Sequence, residues 1–117
     1  MFDHVTLIVR DLEKALRFYR AALEPLGYVV QGEYEGGAGL GAPGKPELWL
    51  QQGKASSRVH LALRSPSQKA VQQFYAAAMA SGGTDNGPPG LREAYAPTYY
   101  AAFVIDPDGN NLEAVCH

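Results

Sequence analysis

Two rhythms of apolar residues alternate along the chain. His4 to Val9 is a short, β-branched stretch and predicts a strand. Leu12, Ala15, Leu16, Tyr19, Leu23 and Leu26 then recur at helical spacing and predict an amphipathic helix. Asp11 is placed to cap it, and Pro25 and Gly27 stop it. Tyr28 to Tyr34 reads as a strand centred on Val29 and Val30. Gly36 to Gly44 reads as a glycine-rich short strand between turns, and Glu47 to Gln51 as one more strand. The sequence of elements then restarts. Val59 to Leu63 predicts a strand, Ser65-Pro66-Ser67 opens a helix, and Val71, Phe74, Tyr75, Ala78 and Met79 form its apolar face up to Gly82-Gly83. Thr84 to Thr98 is rich in turn formers and reads as a long loop with room for one short strand, a kind of segment that tends to carry function. Tyr99 to Ile105 is a strand, Asp106-Pro107-Asp108-Gly109-Asn110 a tight turn, and Leu112 to Cys116 the last strand.

The restart is an internal repeat. A shift of 56 residues sets His4 on His60, Leu7 on Leu63, Phe18-Tyr19 on Phe74-Tyr75, Ala21-Ala22 on Ala77-Ala78 and Gly27 on Gly83. At a shift of 64, Ala42-Pro43 falls on Asp106-Pro107 and Trp49 on Glu113. Each copy is therefore strand–helix–three strands, with units at about 3–53 and 58–117 of a single domain. Neither unit buries its sheet face alone, so the two must pair. The expected class is α+β: two βαβββ repeats forming a curved, open, eight-stranded mixed sheet around a central cavity.

Composition narrows the partners. At 117 residues the chain is one domain, with 46% apolar and 19% charged residues. A net charge of −2 without basic clusters argues against nucleic acid and against anionic membrane surfaces. The single Cys116 forms no internal disulfide, which suits a reducing cytoplasm, and no apolar run approaches the roughly 20 residues of a spanning helix. A cytoplasmic location is expected. Gly36-Gly37-Ala38-Gly39-Leu40-Gly41 is no dinucleotide cradle, because it leads into no helix.

The chemistry-bearing residues sit at related places in the repeat. His4 and His60 each stand at the start of a unit's first strand, and Glu113 lies on the last strand of the second unit. Two imidazoles and a carboxylate are the ligand set of an open divalent-metal site, with positions left for water or a chelating substrate. A lone strand histidine is ordinarily just a partly buried side chain with a hydrogen-bond partner; the symmetry singles these two out. Tyr95, Tyr99 and Tyr100 cluster where the long loop enters its strand, and alternation puts Tyr99 and Phe103 on one face.

The run His4-Val5-Thr6-Leu7, the helix to Gly27-Tyr28, His60-Leu61-Ala62-Leu63 and Phe103 through Glu113 together resemble the vicinal oxygen chelate superfamily. That superfamily includes glyoxalase I, bleomycin-resistance proteins, fosfomycin-resistance thiol transferases and extradiol dioxygenases. The resemblance implies that His4, His60 and Glu113 bind a divalent ion (Zn, Ni, Mn or Fe) and that the protein is a homodimer. With Glu113, Tyr99 is the catalytic candidate: if Phe103 faces the cavity so does Tyr99, which could then donate a hydrogen bond to a metal-bound oxygen. Glyoxalase I places a Glu or Gln where this chain has Trp49, a residue that cannot ligate a metal. Glu47 lies two residues away on the same face, and Trp49 reads as a wall for an organic substrate. Thr6 matches a threonine lining the fosfomycin-transferase site, while Phe103 replaces a tyrosine expected there and Arg92, beside Glu93, is the one cation in the preceding loop. Thr6, Trp49, Glu47, Arg92, Tyr95 and Phe103 are the expected substrate contacts.

The leading expectation is thus a metal-dependent, glyoxalase-class enzyme acting on a small oxygen-chelating substrate by lyase, isomerase or thiol-transfer chemistry. The alternative is a non-catalytic, bleomycin-resistance type of binding protein in which Trp49 and the tyrosines stack on a sequestered ligand. Extradiol dioxygenation ranks third, because those enzymes usually carry two such domains.

Overall fold

The computed structural model describes all 117 residues. The first half runs β1 (Val5–Val9), α1 (Leu12–Leu23), a 3-10 turn (Glu24–Leu26), β2 (Val29–Tyr34), β3 (Gly37–Ala42) and β4 (Lys45–Gln52). The second runs β5 (His60–Arg64), α2 (Gln68–Ala80), β6 (Thr84–Asp85), β7 (Gly90–Leu91), β8 (Tyr100–Ile105) and β9 (Asn111–Cys116). The strands fall into two mixed sheets. One has the order β1-β4-β3-β2; the other has β5-β9-β8-β6, with β7 also paired to β8. Only β1–β4 and β5–β9 are parallel. No helix is long and apolar enough to cross a membrane.

The α+β class agrees with expectation, but the single eight-stranded sheet does not. Nine strands form separate sheets of four and five. The extra strand arises in the long loop, where β6 pairs with Ile105 and Val104 and β7 with Ala101 and Tyr100. Pro88 and Pro89 lie between them and have no amide to continue the ladder, so it breaks into two pieces. The sheets stay apart because β1 and β5 each have a strand neighbour on one side only.

What joins the halves is a common helical layer. α1 packs on α2, and one core cluster takes Leu7 and Val9 from β1, Phe18, Tyr19 and Leu23 from α1, and Leu48 and Leu50 from β4. The same cluster includes Phe74 of α2 and Val104, Leu112 and Ala114 of the second sheet. Alternation then decides the outer faces: Leu48 and Leu50 point inward and leave Trp49 outward, as Leu112 and Ala114 do for Glu113.

Both helices start as expected, with Asp11 Oδ1 accepting from Lys14 N at 3.2 Å and Ser67 Oγ from Ala70 N at 3.0 Å. Their buried faces differ from the predicted stripes. Phe18 and Ala22 are fully buried in α1 and Ala70 in α2, while Met79 is exposed. Each helix is covered by the other helix as well as by a sheet, so its buried arc is displaced from the sheet-facing stripe.

A polar clasp reinforces the junction. The buried Asp106 carboxylate accepts from Asp108 N (2.9 Å), Asn110 N (2.8 Å) and Asn110 Nδ2 (2.9 Å), and from the hydroxyl of Tyr19 on α1. Asp108 Oδ1 accepts from Arg10 N at 3.0 Å and Asn110 Oδ1 from Val59 N at 3.0 Å. The turn closes through Gly109, whose φ of 97° is open to glycine without strain. Burial, and then the Asp106 charge, push the Tyr19 hydroxyl well above its ordinary pKa.

Candidate functional site

The registers make the repeat explicit at the outward faces. Trp49 lies between Thr6 of β1 and Gly39 of β3; Glu113 lies between Ala62 of β5 and Phe103 of β8. Position for position, the first half sets Trp49 beside Gly39 where the second sets Glu113 beside Phe103. A large ring over a missing side chain in one half takes the place of a small acid beside a large ring in the other.

On the second face, Glu113 is 1% exposed although it carries a carboxylate. Its Oε1 lies 2.7 Å from Nε2 of His60, and its Oε2 accepts from the Tyr99 hydroxyl. These two partners compensate the loss of water. The His60 side chain remains 54% exposed, so the buried acid reaches the surface through its imidazole. Tyr99 is pushed up to about 12 by burial first, then by its hydrogen bond to Glu113 and that residue's charge. Its phenol therefore stays protonated and available as a donor across the neutral range. Around it, the Tyr95 and His117 rings each meet Tyr99 edge-on at 5.1 Å. The Arg92 guanidinium stands 5.5 Å from the centre of the Phe103 ring and donates from Nη2 to the Pro88 carbonyl at 2.6 Å. A cleft of about 400 Å³ runs past His60, Asn86, Arg92, Tyr95, Phe103 and Asn111.

The first face is aromatic. His4 donates from Nδ1 to Asp3 Oδ1 at 2.7 Å, which leaves Nε2 free. A cleft of about 490 Å³ is bounded by Asp3, His4, Thr6, Tyr34, Pro46 and Trp49. Glu47 does not join it. The β3–β4 ladder shifts register so that Leu40 faces Leu48 but Gly41 faces Pro46, and alternation fails at Glu47 between them. Glu47 accepts instead from the Tyr28 hydroxyl at 3.1 Å, beside a smaller cavity of about 100 Å³ that also touches His4, Leu61 and Leu63. Burial, then Glu47, raise Tyr28 to about 12.

The predicted residues thus divide. His60, Glu113, Tyr99, Tyr95, Phe103 and Arg92 gather on one face, and His4, Thr6 and Trp49 on the other. Within one chain no three His, Cys, Asp or Glu side chains converge as a metal cluster, so the expected triad is split two and one. Asn111, His117 and Tyr34 were not singled out from the sequence. The first two follow from alternation with Glu113 along β9; Tyr34, at the end of a strand, carried no such signal.

Two halves that each run strand, helix and further strands, each with an open outer face, define the class as the vicinal oxygen chelate superfamily. More narrowly, the glyoxalase-like domain family matches residues 4–115, and the chain belongs to it. Among solved structures, a glyoxalase/bleomycin resistance protein from Albidiferax ferrireducens T118 is 28% identical, with a TM-score of 0.85 over 100% of this chain and 98% of that one. A glyoxalase/bleomycin resistance protein/dioxygenase family enzyme from Burkholderia phytofirmans PsJN shares the fold at 18% identity and TM-score 0.75, covering 97% and 96% of the two chains. The oxidase ChaP-H2 shares it at 20% identity and TM-score 0.73, covering 100% and 93%. No curated protein matches the sequence.

Proposed function

We propose that the protein is a metal-dependent, glyoxalase-class enzyme for a small oxygen-chelating substrate, acting as a homodimer whose sites are shared between chains. One observation carries this reading: Glu113 is withdrawn from water yet held at 2.7 Å against a half-exposed His60. A buried carboxylate and an imidazole converging at a cleft mouth form two-thirds of an open metal-ligand set. His60 Nε2 and Glu113 Oε1 would hold the ion, and the free Nε2 of His4 from a second copy would complete the set. The sheet borders support such a pairing, because β1 and β5 each have a strand neighbour on one side only and carry or adjoin one of the histidines. The ion, of the Zn, Ni, Mn or Fe kind, would act as a Lewis acid for charge developing on the substrate oxygens. Tyr99 would hold the second oxygen of Glu113 with its one O–H donor, and Arg92 and Phe103 would close one wall. The supported chemistry is isomerisation or thiol addition beside paired oxygens.

Subunit mixing tests the shared site. Wild type is expected to take up one divalent ion per chain, and His4→Ala and His60→Ala none. If the two variants are co-refolded in equal amounts, half of the dimers pair unlike chains and rebuild one site of two, so about a quarter of wild-type metal returns. A mixture as empty as its parents refutes sharing; a metal-free wild type after dialysis against Mn²⁺, Ni²⁺, Zn²⁺ and Fe²⁺ refutes metal dependence. A second reading, a non-catalytic binding protein, is favoured by the aromatic first cleft and predicts ligand binding without turnover.

A further inference from the structure

We infer that the first cleft receives a planar aromatic ring of the ligand, with Trp49 and Tyr34 as the surface on which it stacks; this deepens the shared-site reading above by naming the substrate class. The inference starts from three glycines. A Cβ at Gly39 would stand 2.8 Å from Cζ3 of Trp49 and 2.9 Å from its Cη2, and a Cβ at Gly32 would stand 2.8 Å from that Cη2. At Gly37 it would stand 2.3 Å from Cζ of Tyr34. All three are closer than real Cβ atoms come, so the two rings occupy the space of three missing side chains. Glycine inside strands is unfavourable, and here it clears one patch for two rings; Gly32 also holds a φ of 70°, and a Cβ at Gly39 would also stand 2.9 Å from the Gln31 carbonyl oxygen.

A ring serving only to fill that gap would be sealed over. Trp49 instead borders an open cleft of about 490 Å³, Tyr34 is 53% exposed, and their centres lie 6.1 Å apart at 49°. That volume is in the range of small-molecule sites. The position also fits. Trp49 pairs with Thr6, two residues along the outward face from His4, a step of roughly 6.6 Å in a strand. An oxygen near His4 would therefore set a ring attached to it over the indole. Charge complementarity narrows the ligand further: Asp3 and His4 are the only ionisable groups lining this cleft besides the Tyr34 phenol, and neither Lys nor Arg borders it. The cleft offers nothing to a phosphonate or a carboxylate-rich thiol tail, and suits a neutral aromatic group such as an aryl hydroxyketone would bring.

Calorimetry with 2-naphthol and its saturated counterpart decahydro-2-naphthol, on the full chain in EDTA, tests this apart from any metal. Wild type is expected to prefer the flat ring roughly tenfold, the scale of one aromatic contact. Trp49→Leu should erase the preference, Trp49→Phe should keep most of it, and exposed Tyr34→Leu should reduce it in a protein whose core is untouched. Equal affinity for both compounds in wild type, or a preference unchanged in Trp49→Leu and Tyr34→Leu, would overturn the inference and show the rings to be a cover for the glycines or an interface with a second copy. The two readings fail separately. Metal uptake with no ring preference sinks only the aromatic cleft; ring preference in a protein that takes up no metal sinks only the metal site.

Discussion

Replacing Tyr19 with Phe removes one oxygen from the junction of the two halves and leaves the ring in place. The hydroxyl donates to Asp106, which is 3% exposed, and a hydrogen bond to a buried charged group contributes roughly 1.5–3 kcal/mol. Asp106 keeps three donors, from Asp108 N, Asn110 N and Asn110 Nδ2, so its carboxylate is not orphaned and the lower part of that range applies. The expected loss is about 1.5–2 kcal/mol, or roughly 6–8 °C in Tm for a domain of this size. Urea unfolding followed by Trp49, the only tryptophan, reads it directly at one fixed protein concentration. The midpoint should fall with the slope unchanged. Alkali supplies an independent check. Folding raises the Tyr19 pKa above its ordinary 10.0, so the stability linked to the neutral phenol is complete below pH 10 and is lost as pH climbs toward the folded value. The gap between wild type and Tyr19→Phe should therefore narrow above pH 10. A difference under about 0.5 kcal/mol at pH 7, the size of an ordinary surface substitution, or a gap that stays constant into alkali, would refute the clasp.

Other outcomes are equally specific. Tyr99 titrates near 12 because it is buried and faces Glu113, so absorbance at 295 nm should lose a late-ionising component in Tyr99→Phe, and Glu113→Gln should draw that component back toward 10.0. The same Glu113→Gln change should lower divalent-metal affinity at least tenfold by titration calorimetry, while circular dichroism stays native. Phe74→Ala empties a fully buried site in the core shared by both halves and should lower stability by about 3–5 kcal/mol in urea; a loss under about 1 kcal/mol would mean the halves do not share that core.

The repeat was legible because identical residues mark identical jobs. His4 and His60, Gly27 and Gly83, and the Phe-Tyr pairs reveal two copies, and the ladders give Trp49 and Glu113 equivalent places in their separate sheets, as the shift of 64 implies. Glu113 beside His60 was implied by the repeat-related histidines and the family resemblance, and Tyr99 on their side followed from alternation with Phe103. Glu47 escaped because a register shift in a ladder leaves no mark on the apolar pattern. Phe18 and Ala22 escaped because a helix wedged between a sheet and another helix buries more than the stripe one face requires. The splitting of the sheets was beyond a single chain's periodicity: whether β1 lies next to β5 is decided by long-range packing, and the strands themselves are the same either way.

Those two sheet borders have a consequence for how the protein survives in a crowded cell. β1 reads Val5-Thr6-Leu7-Ile8-Val9, without a charge, a proline or a bulge; Ser57 N covers its border at the Ile8 carbonyl, and no strand pairs the stretch before it. Such a border is a template for any extended polypeptide that meets it, a nascent chain or an unfolded neighbour included. Left unpaired, that stretch would be an aggregation hazard at the element that presents the first histidine. A correctly matched neighbour strand would remove the hazard and complete the site in one event, so that selection against clumping and selection for chemistry would act on the same few backbone atoms.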